Sequence, residues 1–487
     1  MTAVVMLGVG LLSVAARAQN YDGKPDPAFG ISGAGWTNYY VGNSNFATAL
    51  VRQTDGKILA AGTLISSGGH TSASVVRLNP DGSVDPHFGS VIPGVGAYFF
   101  TSTSFPAPTS ESASAIAVQS DGKIVVAGSF TGSAPSGEPK GTLLFRLMPN
   151  GDVDTTFGED QGAHFLDCEK HASLAAIWVL PDNRILTAGT GQSFIGGTSL
   201  DFCVTLHDAN GHSLIQRYAD FSDGTVGVND YGSAIAVSGS RVIVAGSAEG
   251  RPQHLGGAND TNFAAAAFTL PNLDIDASFG PNPATQPGMA IVPFDAHFST
   301  GESADACRAV AIRSDGGVVL GGESYVTALS GTISFWAVAR LQANGTLSSS
   351  FGSVSLPGTR IGDYQSEGAY NGIDSLVLQS APAGSNDQVD ESILFGGNAF
   401  SAAYGHAPAD FGIHRMLSNG VPDLTFGNAG DVIFSPGGET GDGSPQYVTA
   451  MLLDANRPLA VGVNYTASSV DFLFLRLQND RIFTSGF

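Results

Sequence analysis

Apolar residues in this chain fall in short runs broken by polar turns, with the spacing of strands throughout. In SAIAVQSDGKIVVAGSF (114–130) two Val/Ile/Ala runs flank Ser120-Asp121-Gly122, and Asp-Gly accepts the positive φ that a tight hairpin demands. The same turn recurs at Asp55-Gly56-Lys57 and Asp315-Gly316-Gly317, and in looser form at Asp182-Asn183-Arg184 and Asp454-Ala455-Asn456-Arg457. A second hairpin signal follows at Pro80-Asp81-Gly82, Asn150-Gly151, Asn210-Gly211, Asn344-Gly345 and Asn419-Gly420. No helical pattern is long enough to cross between strands, so each unit reads as a small antiparallel sheet.

The units repeat seven times. Their second strands end at Gly62, Gly128, Gly189, Gly246, Gly322, Gly397 and Gly462, at intervals of 57 to 76 residues. A sheet with two apolar faces cannot stand alone, and radial packing of several such sheets buries both faces. The period is too long for a β-solenoid coil. The expectation is therefore all-β: a seven-bladed β-propeller with second strands near 57–64, 123–130, 184–190, 241–247, 317–323, 391–398 and 457–463. Phe-Gly follows most units, and its first copy stands in DPAFGISGAGWTNYYV (26–41), ahead of any hairpin. The last unit lacks the apolar run that follows Phe-Gly elsewhere. An N-terminal strand within 31–41 is thus expected to complete the last blade beside Leu473–Leu477, with Asp26 near Arg476 and Trp36 or Tyr39 buried between blades.

The phrases NPDGSVDPHFG (79–89), MPNGDVDTTFG (148–158) and SNGVPDLTFG (418–427), each after a stretch like DGKI-x-AAG, resemble the delta-60 repeat, a bacterial β-propeller repeat of largely unassigned function. The resemblance spans residues 19–487 and implies the propeller fold. It brings no catalytic residues with it.

Composition narrows the partners. With 21 Lys and Arg against 43 Asp and Glu, the net charge of −22 repels phosphate backbones, which excludes nucleic acid and disfavours anionic membranes. An apolar run from Val4 to Val14 leads into Ala16-Arg17-Ala18, so residues 1–18 read as a signal peptide and 19–487 as a single propeller domain, exported to the periplasm, the cell surface or the medium. Residues 19–23 are expected to be poorly ordered. No later stretch could span a bilayer as a helix, and a monomer is expected. Cys168, Cys203 and Cys307 cannot all pair within one chain, and a core of this size does not need disulfides.

Candidate chemistry is sparse. Arg77, Arg146, Arg340, Arg415 and Arg476 recur on third strands, and Asp26, Asp85, Asp154, Asp276 and Asp423 recur three residues before Phe-Gly. An Arg–carboxylate bond within each blade explains most of that pattern. By this count blade 3 carries neither partner, blade 4 only the Asp and blade 5 only the Arg. The Asn-Gly and Asp-Gly turns lack the Gly and the closing Glu of an EF-hand loop. There is no nucleophile elbow, no His-Glu-x-x-His and no phosphate loop.

Counting ten residues back from the first-hairpin Asp places Asn45, Glu111, Asn229, Asp305 and Asn371 where inner strands begin, with Ala172 and Ser444 in blades 3 and 7. Such a ring suits a cation such as calcium, or a sugar, and equally suits the water-facing start of a strand. No cofactor is identified beyond that. Tyr231, Tyr364, Tyr370, Tyr404 and Tyr447 lie in or near long loops expected at the same end, among them 101–112, 248–260, 362–372, 401–410 and 436–447, and offer flat faces. The leading reading is a scaffold that binds a glycan or protein ligand there. The alternative is an extracytoplasmic hydrolase or lyase with Glu111 and Asp305 as acid and base at the channel mouth.

Overall fold

The structure, a computed structural model, describes residues 22–479 apart from 41–43, 67, 90–95, 101–109, 132–139, 160–161, 167–172, 193–198, 223–227, 250–260, 283, 299–303, 329–330, 365–370, 381–390, 401–408, 437–445 and 467–468. Seven antiparallel sheets surround one axis. Their inner strands are Ser44–Arg52, Ser110–Val118, Ser173–Val179, Asp230–Ser238, Ala304–Ile312, Ser375–Gln379 and Gln446–Asp454, and each touches the next around the ring, blade 7 against blade 1 included. The second strands, Ile58–Ile65, Ile124–Thr131, Ile185–Gln192, Arg241–Glu249, Val318–Ala328, Ser392–Phe400 and Arg457–Tyr465, lie where the hydrophobic pattern placed them. Blade 4 adds a fifth strand, because Thr261–Thr269 pairs with both Asp274–Ile275 and Met289–Val292.

The repeated second-strand glycine has a steric cause. In all seven blades the inner strand bulges or kinks toward it, and a Cβ on this glycine would stand 1.8–2.0 Å from an inner-strand carbonyl oxygen: Phe46 in blade 1, Ser112 in blade 2, Gly372 in blade 6. No other residue fits at that distance. The fixed contact also gives an exact register between blades.

Adjacent blades are bolted at the hairpin end. Arg77 donates to Asp85 at 2.8 Å, lies over the Phe88 ring at 4.4 Å and reaches the Pro149 carbonyl of the next blade. Arg146 repeats this with Asp154, Phe157 and the Ala209 carbonyl, and Arg476 with Asp26, Phe29 and the Pro80 carbonyl. Two blades use other residues. In blade 4 Arg241, on the second strand, pairs with Asp276 and bonds the Ala343 carbonyl, and in blade 5 Arg340 sits 3.4 Å from Asp315 and bonds the Ser418 carbonyl. Each Phe-Gly amide adds a bond to the next blade's turn, as in Gly89 N to Asn150 O at 2.8 Å.

Closure follows the expected course and goes further. Trp36–Tyr39 pairs antiparallel with Val470–Arg476, Trp36 opposite Leu475 and Tyr39 opposite Phe472, and Tyr39 is buried. The expectation of disorder through Gly23 fails at Asp22 and Gly23. Gly23 has φ +81° and its amide bonds Gln478 O, while Gly427 N donates to Asp22 O. Asp22-Gly23 thus stands in for the second-hairpin turn of blade 7, and the Asp22 carboxylate takes the guanidinium of Arg415. The N-terminal segment therefore supplies a turn, an ion-pair partner and a strand. Residues 1–21, which carry the expected leader, lie outside the described residues. Among the described residues no helix is long and apolar enough to cross a membrane. Cys203 and Cys307 are buried, and Cys168 lies outside the described residues.

Candidate functional site

Aligned on the glycine contact, the described residues at the start of the inner strands are Asn45, Glu111, Asp230, Asp305, Asn371 and Gln446, while Ala172, the blade 3 member of the sequence count, lies outside the described residues. Two blades differ from the sequence count: Asp230 replaces Asn229, and Gln446 replaces Ser444. Their first hairpins enclose two residues, 239–240 and 455–456, where the blade 1 turn closed by Gln53 N and Lys57 O encloses three, 54–56, so counting back from the turn slips.

This row is polar and buried. Asn45, Asp305 and Asn371 are fully buried, and Glu111, Asp230 and Gln446 nearly so. The side chains face the seams between blades. Asn45 Nδ2 reaches the Val470 carbonyl of blade 7 at 3.5 Å, and Asp305 accepts from Phe294 N at 3.1 Å and from Ser324 Oγ at 2.5 Å. Asp230 accepts from Phe221 N in the same way. These carboxylates hold the link from one blade's outer strand into the next blade. Glu111 and Asp305 lie on the inner strands of blades 2 and 5, which do not adjoin, so the structure does not bring that pair together.

Asn229 stands just outside the row. Its Oδ1 accepts from Leu200 N, and its amides donate to Glu249 Oε2. Tyr231 is 40% exposed and donates to Glu249 Oε1 at 3.3 Å. Tyr447 is half-buried with its ring 6.4 Å from that of Tyr465, and burial raises its hydroxyl well above the ordinary value. Tyr364 is a correction: it is fully buried, its hydroxyl donating to Gly372 O at 3.0 Å, and presents no face to a ligand. Tyr370, Tyr404 and most of the long loops lie outside the described residues.

A charged cluster that the sequence reading passed over lies between these points. Where an inner strand bulges, blades 1, 2, 4 and 7 carry Thr48, Ser114, Ser233 and Thr449, and the first three hydroxyls bond both their own second strand and the next inner strand. Blade 5 has Arg308 there and blade 6 has Asp374. Arg308 Nε donates to Glu323 Oε1 at 2.9 Å and stands 3.6 Å from Asp374 Oδ1. Glu323 follows the second-strand glycine, a position held by Thr63, Ser129, Thr190 and Ser247 in blades 1 to 4. Gly372 leaves room for it, since a Cβ there would lie 3.0 Å from Glu323 Oε2 and from Asn398 Oδ1.

The Arg308 side chain is 45% exposed, on one of the inner strands that surround the axis. Burial pushes the Asp374 carboxyl up to about 6, with Arg308 opposing the rise and Glu323 adding to it. Burial and the neighbouring Glu323 carboxylate push the Tyr325 hydroxyl up to about 12. Two carboxylates around one guanidinium, with an amide and tyrosine hydroxyls beside them, make a fixed set of hydrogen-bond donors and acceptors with no surplus positive charge. The detectable signal was a charged residue at two repeat positions that other blades fill with a hydroxyl.

The fold and this channel define the class: a β-propeller with one chemically distinct sector. Residues 53–88, 119–157 and 313–351 match a β-propeller domain of unknown function, DUF5122, each match running from a first hairpin to the Phe of Phe-Gly in blades 1, 2 and 5. No curated protein matches the chain. Among solved structures, polysaccharide lyase Uly1 is similar over 94% of this chain and 97% of that one, at 10% identity and a TM-score of 0.50. Trypanosoma rangeli sialidase (9% identity, TM-score 0.41, 90% of this chain and 55% of that one) and the GH93 α-L-arabinofuranosidase of Fusarium graminearum (10%, 0.41, 74% and 91%) are more distant. At these identities the likeness is one of fold.

Proposed function

We propose that this protein is an exported, monomeric propeller that binds a glycan at the channel end formed by blades 5 to 7, with Arg308, Glu323, Asp374, Tyr325 and Tyr447 as the contact set. Tyr231, Asn229 and the Asn45, Glu111, Asp305 and Asn371 row border that end and shape the links that carry its loops. The carrying observation is the Glu323–Arg308–Asp374 cluster, which replaces small blade-stitching hydroxyls with charged groups open to the channel. Their charges balance to a net negative, which favours a neutral sugar over a uronate or sialate. Tyrosine rings and fixed acceptors are the usual means of holding sugar hydroxyls. A polysaccharide lyase on a similar scaffold is compatible with this reading.

The test is a glycan array followed by calorimetry on the best ligand, with Arg308→Met and Asp374→Asn. Binding should fall at least tenfold in both while each variant keeps the native circular-dichroism spectrum. Unchanged binding in both variants would sink the proposal, and selective capture of a protein in place of any glycan would redirect it.

A second reading, hydrolysis or elimination, is favoured by one observation: Asp374 holds its proton to about pH 6, within the range of a general acid. New reducing ends or unsaturated products released by the native chain and not by Asp374→Asn would decide for it.

A further inference from the structure

The seam between blades 3 and 4 differs from the other six. Among the described residues it lacks both fasteners: Leu206 stands at the third-strand arginine position, and no Phe-Gly amide of blade 3 bonds a blade 4 turn. At the opposite end of that seam three carboxylates converge. Asp201 is the second residue of the third strand of blade 3, opposite Gly191, Asp220 follows its outer strand Ser213–Ala219, and Asp230 opens the inner strand of blade 4. One oxygen of each lies within 4.8 Å of the others.

Asp230 is the informative member. It is 2% exposed, and its Oδ2 accepts from Phe221 N at 2.8 Å. Its Oδ1 is buried with no hydrogen-bond partner among the described residues. A buried acceptor left open is costly, and a carboxylate oxygen more so. Asp220 and Asp201 are like charges beside Asp230, so their repulsion adds to the cost of burying its carboxylate. Asp220 is exposed, with Oδ1 accepting from Ser222 N at 2.7 Å, so the group opens to solvent on one side.

We propose that Asp201, Asp220 and Asp230 bind one calcium ion that fastens blade 3 to blade 4. A calcium ion sits about 2.4 Å from each oxygen and takes six to eight of them, water included, so oxygens within 4.8 Å can share it. Magnesium holds its ligands at about 2.1 Å in a strict octahedron and fits such a spread less well. All three donors are hard oxygens, and no thiol or imidazole belongs to the group. The ion would satisfy Asp230 Oδ1, cancel the repulsion and bridge two blades whose seam lacks the arginine bolt at its other end. The site is separate from the Arg308 cluster in blades 5 and 6, so it stands or falls independently of the glycan reading.

Calorimetric titration of the chelator-stripped mature chain with Ca²⁺ tests it, beside thermal unfolding with and without the ion. One Ca²⁺ per chain and a higher unfolding midpoint are expected, with Mg²⁺ at least tenfold weaker. Asp220→Asn, at an exposed position where the amide oxygen can still accept from Ser222 N, should weaken Ca²⁺ at least tenfold and abolish the midpoint shift, and Asp230→Asn should do the same. No Ca²⁺ uptake at millimolar ion, undiminished uptake by Asp220→Asn, or equal affinity for Mg²⁺ would overturn the assignment.

Discussion

Arg476 and Asp26 stand 450 residues apart in the chain and meet at 2.8 Å, Nε to Oδ2, inside blade 7. Both are buried, and Arg476 also holds Asp454 at 2.8 Å and the Pro80 carbonyl of blade 1. The contact closes the ring in side chains as the pairing of Trp36–Tyr39 closes it in backbone.

Asp26→Asn leaves Arg476 with one carboxylate and should cost roughly 2 kcal/mol in urea unfolding, since a buried charge loses one of two partners. Removing residues 22–41 also exposes the surfaces that Phe29 and Tyr39 cover, for a loss on the order of 5 kcal/mol. A truncated chain that unfolds at the same urea concentration as the intact one would contradict the closure.

Gly128→Ala should cost at least about 2 kcal/mol, because the new Cβ must displace the Ser112 carbonyl from a bulge that the backbone already fills. Equilibrium denaturation reads the loss directly, and an unaffected midpoint would mean that the bulge is soft.

Phe157→Ala removes a buried ring that carries Arg146 on one face and packs against Gly211 of the next blade. The expected cost is about 3–5 kcal/mol. Hydrogen exchange should show the excess opening along blades 2 and 3 before the remainder of the ring.

Asp374 gives stability a pH dependence of defined sign. Its carboxyl titrates near 6 in the fold and at the ordinary 3.8 unfolded, with Arg308 and Glu323 facing it and the Tyr364 and Tyr447 hydroxyls in its field. The raised value means that the folded protein holds more proton between those limits. Its contribution is fully present below about pH 4 and is lost as pH rises through 6. Asp374→Asn should therefore gain on the native protein by roughly 1–2 kcal/mol between pH 4 and 7, after allowance for partial solvent screening. A difference that stays constant with pH would refute this.

The propeller was legible because its determinants are local and repeated. Asp-Gly turns, second-strand glycines and Phe-Gly each answer to one steric or hydrogen-bonding demand, seven or nearly seven times over. Blade 4 hid its bolt because Arg241 sits on a different strand from Arg77 yet reaches an equivalent carbonyl. The Arg308 cluster was harder to see, since which side chains face the channel depends on a bulge that leaves no residue signature of its own. Counting from a turn of variable length put Asn229 where Asp230 belongs, and with it concealed the carboxylates of the blade 3–4 seam. Counting from Gly246, where an added Cβ would stand 1.9 Å from Tyr231 O, avoids the slip.

Gly23 N bonds Gln478 O at 3.1 Å, beside the sheet in which Trp36–Tyr39 pairs with Val470–Arg476, so segments more than 430 residues apart are neighbours in blade 7. During synthesis, then, the first strand made waits for the last. Until Val470–Arg476 emerges, six finished blades form an open arc whose terminal faces, among them Phe29, Tyr39 and Ala47, have no cover. A release of the ribosome before that point leaves a fragment with apolar surface at both ends, open to joining a second fragment head to tail. Fidelity of assembly thus rests on completing translation, and nonsense products ending anywhere before blade 7 should accumulate as chains of open arcs.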